Sequence, residues 1–385
     1  MNLIYKKEDC SGCTACESIC PTKAITMERD NMGFNYPIID DDLCVECGLC
    51  KNVCPLQNEI EVDKHLSEPI IYAAKYKEDD VRMVSSSGGI YTAISNYVIN
   101  EKKGICYGAT FNKDFSVVHE SACNLSERDK FRGSKYVQSE LNDTFKKIKE
   151  DLKKNKAVLF TGVPCQTAGL IKYLKMAKVD TSHLILNDII CHGVQSPMIW
   201  EDYVRFIENK NQSKLKSYTF RAKDMGWRGY NVRAVFKDGS VKTNTKDILK
   251  YIKLFKSNLA LRPSCYYCKF SNMNRPSDLM IGDFWGIENT FPNFEDEKGV
   301  SLVLVNTEKG KEVFDSIKEN LIYKISSKDK CMQHNLQKPT EEPKKSVYFW
   351  REYNSGELES IIDKYTSVGI TLKLKRYIKN ILKNK

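Results

Sequence analysis

The sequence predicts an α+β chain in two unequal parts, a small cysteine-rich module followed by an α/β core with a mixed sheet. Three observations carry this. Eight of the 15 cysteines fall within the first 54 residues. Beyond residue 70, strand-sized apolar runs alternate with helical stretches, the pattern of strands joined by helices. The 385 residues are 41% hydrophobic and 29% charged, which excludes fibrous and fully disordered chains and supports a sizeable buried core. In chain order, residues 1–58 form the module, 59–69 a polar linker, 70–345 the core and 346–385 a basic helical tail.

The module holds one pattern twice, Cys10-x2-Cys13-x2-Cys16-x3-Cys20-Pro21 and Cys44-x2-Cys47-x2-Cys50-x3-Cys54-Pro55. Three thiolates two residues apart let one tight loop wrap several irons. The fourth, followed by proline, leaves on a separate segment and serves the other cluster of a two-cluster module. The spacing assigns one [4Fe-4S] cluster to Cys10, Cys13, Cys16 and Cys54, and a second to Cys44, Cys47, Cys50 and Cys20. Gly12 and Gly48 permit close backbone approach to sulfide. Zinc also accepts four thiolates, but its ribbons use paired hooks and need no tandem quartets ending in Cys-Pro. Between the quartets, residues 24–27 and 34–36 flank Asp30-Asn31-Met32-Gly33, a hairpin signal. The whole segment resembles a bacterial two-[4Fe-4S] ferredoxin.

The core elements follow in order: an apolar run at 70–74, a helix over 89–100, a strand over 104–111, a Lys-rich amphipathic helix over 141–154, and strands at 157–160, 184–190 and 300–305. No run approaches the ~20 residues needed to span a bilayer. Lys6, Lys7, Glu8 and Asp9 stand where a signal peptide needs its apolar stretch. The expectation is a cytoplasmic protein whose cysteines bind metal rather than form disulfides. The 20 glycines include no G-x-G pair, and there is no Walker loop, HExxH or G-x-S-x-G. Dinucleotide-fold, P-loop and serine-hydrolase functions lose their usual support.

Among the other cysteines, Cys265-x2-Cys268 is a hook open to zinc, redox or cluster chemistry. Cys165 and Cys191 each follow an apolar run beside glycine or proline, where an α/β sheet presents ligands. Taken singly, each also reads as a small buried hydrophobe, as do Cys106, Cys123 and Cys331. Ser85, Ser86, Ser87, Gly88 and Gly89 open a helical stretch and offer hydroxyls and bare amides to an anion, or an ordinary serine cap. Arg132, Gly133, Ser134, Lys135 and Tyr136 offer charge-assisted contacts to a phosphate-bearing ligand, or a solvated loop.

As a set, these pieces resemble the family of coenzyme F420 hydrogenase/dehydrogenase beta subunits. The resembling stretches are 85–89, RGSKYVQS at 132–139, FTGVPCQTAGL at 160–170, DIICHGVQS at 188–196, FRAKDMGW at 220–227, CYYCKF at 265–270, DLMIGDFW at 278–285 and GVSLVLVN at 299–306. The resemblance implies an FAD-containing core with a third [4Fe-4S] cluster on Cys165, Cys191, Cys265 and Cys268. It implies that FAD rests on residues 85–89, 132–136 and the loop containing Gly162 and Gln166. The implied activity is that of an oxidoreductase, without assigned catalytic side chains. It would pass electrons between a two-electron carrier, F420 or a similar reductant, and a one-electron acceptor such as a ferredoxin or a partner enzyme. Arg221, Lys223 and Arg228 are candidates for the carrier's anionic tail and Trp227 or Trp285 for its ring; the other reading is a surface charge run around a core tryptophan. The alternative function is that of a non-catalytic electron-transfer subunit, and a zinc-stapled interaction protein is a remote one.

The net charge is +10, unevenly spread. Residues 1–55 hold five Lys/Arg against nine Asp/Glu, so the remainder carries +14, six of it in 371–385. There Leu374, Ile378, Ile381 and Leu382 recur at helical spacing, which suits peripheral membrane contact or a solvated terminal helix. An acidic electron-carrying module on a basic body suits anionic cofactors, would favour docking of the two parts, and removes the case for nucleic acid.

Overall fold

The structure is a computed structural model describing residues 3–60, 65–354 and 356–366. The basic stretch 371–385 lies outside them. In the module, β1 (Ile25–Arg29) and β2 (Asn35–Ile39) pair antiparallel from Ile25↔Ile39 to Arg29↔Asn35. The predicted turn closes them: the Asp30 carboxylate accepts from the Met32 and Phe34 amides. Gly33 has φ +79°, and a Cβ there would lie 2.3 Å from Met198 Cβ of the core. Glycine is therefore needed both for the turn and for the contact.

The core strands are β3 (His65–Tyr76), β4 (Ile105–Phe111), β5 (Val117–Ala122), β6 (Val158–Gly162), β7 (Leu184–Ile189), β8 (Leu215–Thr219), β9 (Arg233–Phe236), β10 (Val241–Thr243), β11 (Leu279–Asp283), β12 (Ser301–Thr307) and β13 (Leu321–Ile325). Among the described residues, eight of them form one mixed sheet in the order β13-β3-β12-β11-β7-β6-β4-β5, and β10-β9-β8 form a second. The central neighbours β4, β6, β7 and β11 run parallel, and antiparallel strands flank them. This is the mixed sheet the alternating runs predict. β3 begins at His65 and so reaches back into the segment read as a linker.

Side-chain alternation sorts the sheet's two faces. Val158 and Phe160 pack with Phe145, Ile148, Leu170 and Leu174 of the Thr144–Lys153 and Pro164–Met176 helices. Leu159, between them, joins Ile90, Ile94 and Phe314 on the other face. All seven residues of β12 are buried, as an apolar run covered on both faces requires. A further cluster around Trp200 gathers β8, β9 and the Pro197–Asn211 and Lys250–Ser257 helices. It also takes in Phe349, Trp350 and Tyr353 of Ser346–Tyr353 and Ile361 and Ile362 of Leu358–Thr366, so residues 346–366 pack on the core. Among the described residues no helix is long and apolar enough to cross a membrane.

Phe34 and Tyr36 of the module sit in this same cluster, and Cys13, Ala15 and Val53 in the cluster of the Pro164–Met176 helix. The module is thus built into the core. His119 in β5 stacks on Phe160 at 5.3 Å and its Nε2 meets the Thr161 carbonyl at 3.1 Å. Burial pushes its pKa down to about 4. Between pH 6.5 and 4 the unfolded chain binds a proton that the folded chain refuses, so stability falls as pH falls through this window. His119→Phe keeps the stack and should remove up to about 3 kcal/mol of that acid sensitivity; thermal melts of both proteins at about pH 7 and pH 4.5 check it.

Candidate functional site

The two cysteine loops of the module share one backbone path. Gly12 (φ +68°) and Thr14 (φ +60°) in the first, and Glu46 (φ +50°) and Gly48 (φ +72°) in the second, are left-handed two and four residues after the leading cysteine. Glycine takes only one such position per loop; Thr14 and Glu46 take the others, which the sequence does not reveal. The Gly12 N–H donates to Cys10 Sγ at 3.4 Å. Burial, followed by Cys54 and Cys10, pushes the Cys13 thiol up to about 12, and Cys16 is raised by burial and then by Cys13, Cys10 and Cys54. Cys54 therefore lies with the first loop. Conversely Cys20 lines a cavity with Cys44, Cys47 and Cys50. Burial raises Cys50, with Cys47 and Cys20 adding to it.

A third set forms at the carboxyl end of the parallel strands. β6 and β7 pair in register from Val158↔Leu184 to Gly162↔Asp188, so the segments that leave them emerge side by side. Cys165 opens the Pro164–Met176 helix directly after β6, and Cys191 follows β7. Cys265 lies in the 3-10 turn Pro263–Tyr267 and Cys268 closes it. The four thiols line one cavity. Burial raises Cys165, as do Cys268, Cys191, Cys265 and, from the module, Cys13; burial pushes Cys265 up to about 12. The Val194 N–H donates to Cys265 Sγ at 3.4 Å. Among the described residues no group of three or more His, Cys, Asp or Glu side chains is placed to hold a single metal ion. The thiols of a four-iron cluster need not converge on one atom, since each binds its own iron.

Three residues that no ligand assignment includes position these sets. Gly169, in the Cys165 helix, faces the module: a Cβ there would lie 2.9 Å from Cys13 Sγ. Arg275 is buried and paired with buried Asp188 at 3.2 Å, and donates to the carbonyls of Phe270 and Ile189. It ties the end of β7, two residues before Cys191, to the chain just after Cys268. Arg262 donates to the carbonyls of Cys10 (2.7 Å) and Asn35 (2.9 Å) and to Gln138 Oε1 (3.0 Å). Gln138 donates in turn to the Ser11 carbonyl.

The residues expected to hold FAD divide into two groups. Ser86 and Ser134 meet: the Ser134 N–H and hydroxyl donate to Ser86 Oγ at 2.8 and 3.0 Å. Lys135 donates to the Lys130 and Arg132 carbonyls, and Gly133 (φ +81°) has open space where a Cβ would stand. Arg132 shares its guanidinium with Thr92 and Asp129. The others serve the fold. Ser85 and Ser87 donate to the carbonyls of Val81 and Val300, and the Gly88 N–H to Ser301. Gly89 precedes the helix Ile90–Asn96 at φ +91° without a side-chain cap, so the ordinary serine cap does not form. Gln166 bonds Val163 N–H and Ser139, Gly162 packs on Phe160, and the Tyr136 ring lies 4.5 Å from Phe255.

The candidates for an anionic tail are engaged elsewhere. Buried Arg221 pairs with Asp283 at 2.8 Å. Lys223 is buried and donates to the carbonyls of Arg82, Ser87 and Lys298 at 2.6–2.7 Å, pinning the 85–89 loop. Arg228 is exposed but paired with Glu288 and Glu295. Two of the three are thus no surface run, because each has found a buried acceptor. Trp227 and Trp285 stack at 5.1 Å with Trp227 buried beneath, leaving Trp285 with an accessible side. Cys106 and Cys331 are buried as expected, whereas Cys123 is exposed beside Glu127.

Fold and thiol sets define an iron–sulfur protein in which a dicluster module is docked on a mixed-sheet core. Residues 9–58 match the 4Fe-4S dicluster domain, and residues 155–330 match the C terminus of the coenzyme F420 hydrogenase/dehydrogenase beta subunit. Residues 155–330 thus carry the C-terminal region of that family, and residues 9–58 a dicluster domain. The chain is similar to one of the subunits of the F(420)H(2) dehydrogenase of Methanosarcina mazei, 22% identical over 83% of this chain and 85% of that one. It is also similar to the coenzyme F420-dependent sulfite reductase of Methanocaldococcus jannaschii, 28% identical over 45% of this chain, and spans 26% of that protein's length. A chain in the F420-reducing [NiFe] hydrogenase complex from Methanosarcina barkeri is 16% identical, with a TM-score of 0.46 over 80% of this chain and 94% of that one.

Removing one partner of a buried ion pair leaves the other charge uncompensated. Arg275→Met should therefore cost about 3–5 kcal/mol, while Arg228→Met, at an exposed pair, should cost at most about 1 kcal/mol. Urea denaturation of the two variants checks the contrast.

Proposed function

We propose that the chain is an iron–sulfur flavoprotein that links a two-electron carrier, F420 or a similar anionic reductant, to a one-electron acceptor protein. The observation that carries this is the sequence of three four-thiol sets from core to surface. Cys165, Cys191, Cys265 and Cys268 would hold the inner cluster. Cys10, Cys13, Cys16 and Cys54 would hold the middle one at the joint, where Gly169 brings the two sets together. Cys44, Cys47, Cys50 and Cys20 would hold the outer one, beside exposed Cys47, Leu43 and Val45.

FAD, when bound, supplies the exchange between hydride and single electrons that the clusters pass on. The chain's residues fit that role. The Ser86–Ser134 meeting, the open Gly133 turn and the Lys135 side chain, which among the described residues has carbonyl but no carboxylate partners, suit a phosphate-bearing ligand. Cys165 stands in the first turn of a 13-residue helix, where the helix macrodipole partly offsets the burial that raises its thiol. The Gly12 and Val194 amides on Cys10 and Cys265 add the kind of N–H···S bonds that help set cluster potentials.

Anaerobically purified protein should contain about twelve irons and one FAD per chain, and Cys165→Ala should lose about four irons with the flavin retained. About eight irons in the native protein would overturn the inner cluster. Reduced F420 should bleach the flavin absorption of the loaded protein; no bleaching would remove F420 as the carrier. The alternative, an electron-transfer component without its own substrate, is supported if bleaching occurs only in the presence of a partner enzyme.

A further inference from the structure

Seven Lys and Arg residues are buried among the described residues. Five pair with carboxylates: Arg82 with Asp79 and Asp296, Arg128 with Asp129, Arg221 with Asp283, Lys250 with Glu359 and Asp363, and Arg275 with Asp188. The exceptions are Lys223 and Arg262. A lysine so enclosed can shed its proton, and burial pushes Lys223 down to about 7. A guanidinium keeps its charge throughout the physiological range.

Arg262 is fully buried, and its acceptors are the Cys10 and Asn35 carbonyls, Gln138 Oε1 and, at 3.5 Å, Cys10 Sγ. Its guanidinium also lies 4.4 Å from the centre of the Tyr36 ring. None of these partners is a carboxylate, and only the Cys10 sulfur is a proposed cluster ligand. The carbonyl of Arg262 itself accepts from the Cys265 N–H at 2.9 Å, so one residue touches both the joint set and the core set. A buried charge without a counter-ion costs several kcal/mol. The cost falls away when thiolates carrying a net negative cluster stand beside it.

We propose that Arg262 is the resident counter-charge of the cluster bound through Cys10, and that its charge raises this cluster's reduction potential. Arg262 is a positioning and redox-tuning residue; the inference rests on the ligand assignment proposed above. Reduction adds one negative charge to the cluster. A fixed cation in a low-dielectric joint stabilises the reduced form more than the oxidised form.

The test is an EPR-monitored redox titration of the full-length, cluster-loaded protein, with iron analysis. Arg262→Gln should keep full iron and lower the potential of one cluster by at least the equivalent of a tenfold change in its reduced-to-oxidised ratio, about 59 mV for one electron. Arg262→Lys keeps the charge without the fork and should stay within about threefold of native. Full iron with unmoved potentials in Arg262→Gln overturns the proposal. So does a tenfold shift in Arg262→Lys, since geometry rather than charge would then be responsible. If Arg262→Gln loses iron, Arg262→Lys decides: full iron and a potential within about threefold of native supports the charge reading, and a tenfold shift overturns it. Cys10→Ala separates the two levels: unchanged iron there overturns the ligand assignment itself.

Discussion

The parallel pairing of β6 with β7 is the constraint on which the site depends. Five consecutive residue pairs fix their register, and a slip of one residue would turn every side chain of one strand to the opposite face. Leu159 and Phe160 already commit to different helical layers, so register and packing specify each other. With that register set, the helix starting at Pro164 and the segment after Ile189 leave the sheet at one edge, and Cys165 and Cys191 are brought together. The Asp188–Arg275 pair then draws in the chain that follows Cys268.

The same helix positions the module. Cys165 lies at its first turn and Gly169 one turn later, and the missing side chain at 169 admits Cys13. Burial raises the Cys13, Cys165 and Cys50 thiols, one in each set, and so favours their protonated form. Iron must displace those protons on binding. Packing joins the module to the core, with Phe34, Tyr36, Ala15 and Val53 contributing to the core clusters.

Local chemistry made part of this legible in the sequence. The Cys quartets, the Asp30–Gly33 turn and the apolar runs of β4, β6, β7 and β12 each depend on residues close together in the chain. What stayed hidden depends on distant approach. Nothing around Gly169 distinguishes it from any helical glycine; its reason is Cys13, far away in sequence. Arg262 reads as a basic residue near a hook, and only folding shows that it is buried without a carboxylate. Arg221 and Lys223 misled for the same reason, since hydropathy cannot report an internal acceptor such as Asp283 or the Ser87 carbonyl. Thr14 and Glu46 show the limit of glycine as a marker of left-handed backbone.

The charge distribution bears on the same joint. An acidic module on a basic body suggests carboxylates of the module facing cations of the core, yet the carboxylate ion pairs crossing the joint among the described residues run the other way: Arg29 of the module meets Glu140 and Glu201 of the core. Core cations do reach the module, but through its carbonyls, Arg262 to Cys10 and Asn35, Lys172 to Glu59 and Lys269 to Leu56. A carbonyl fixes the orientation of a guanidinium or ammonium without neutralising it, so these contacts leave positive charge at the joint uncancelled. Carboxylate partners would hold the module as well and would cancel that field. The joint thus docks two parts through contacts that leave its cations without carboxylate partners, beside the place where Gly169 admits Cys13.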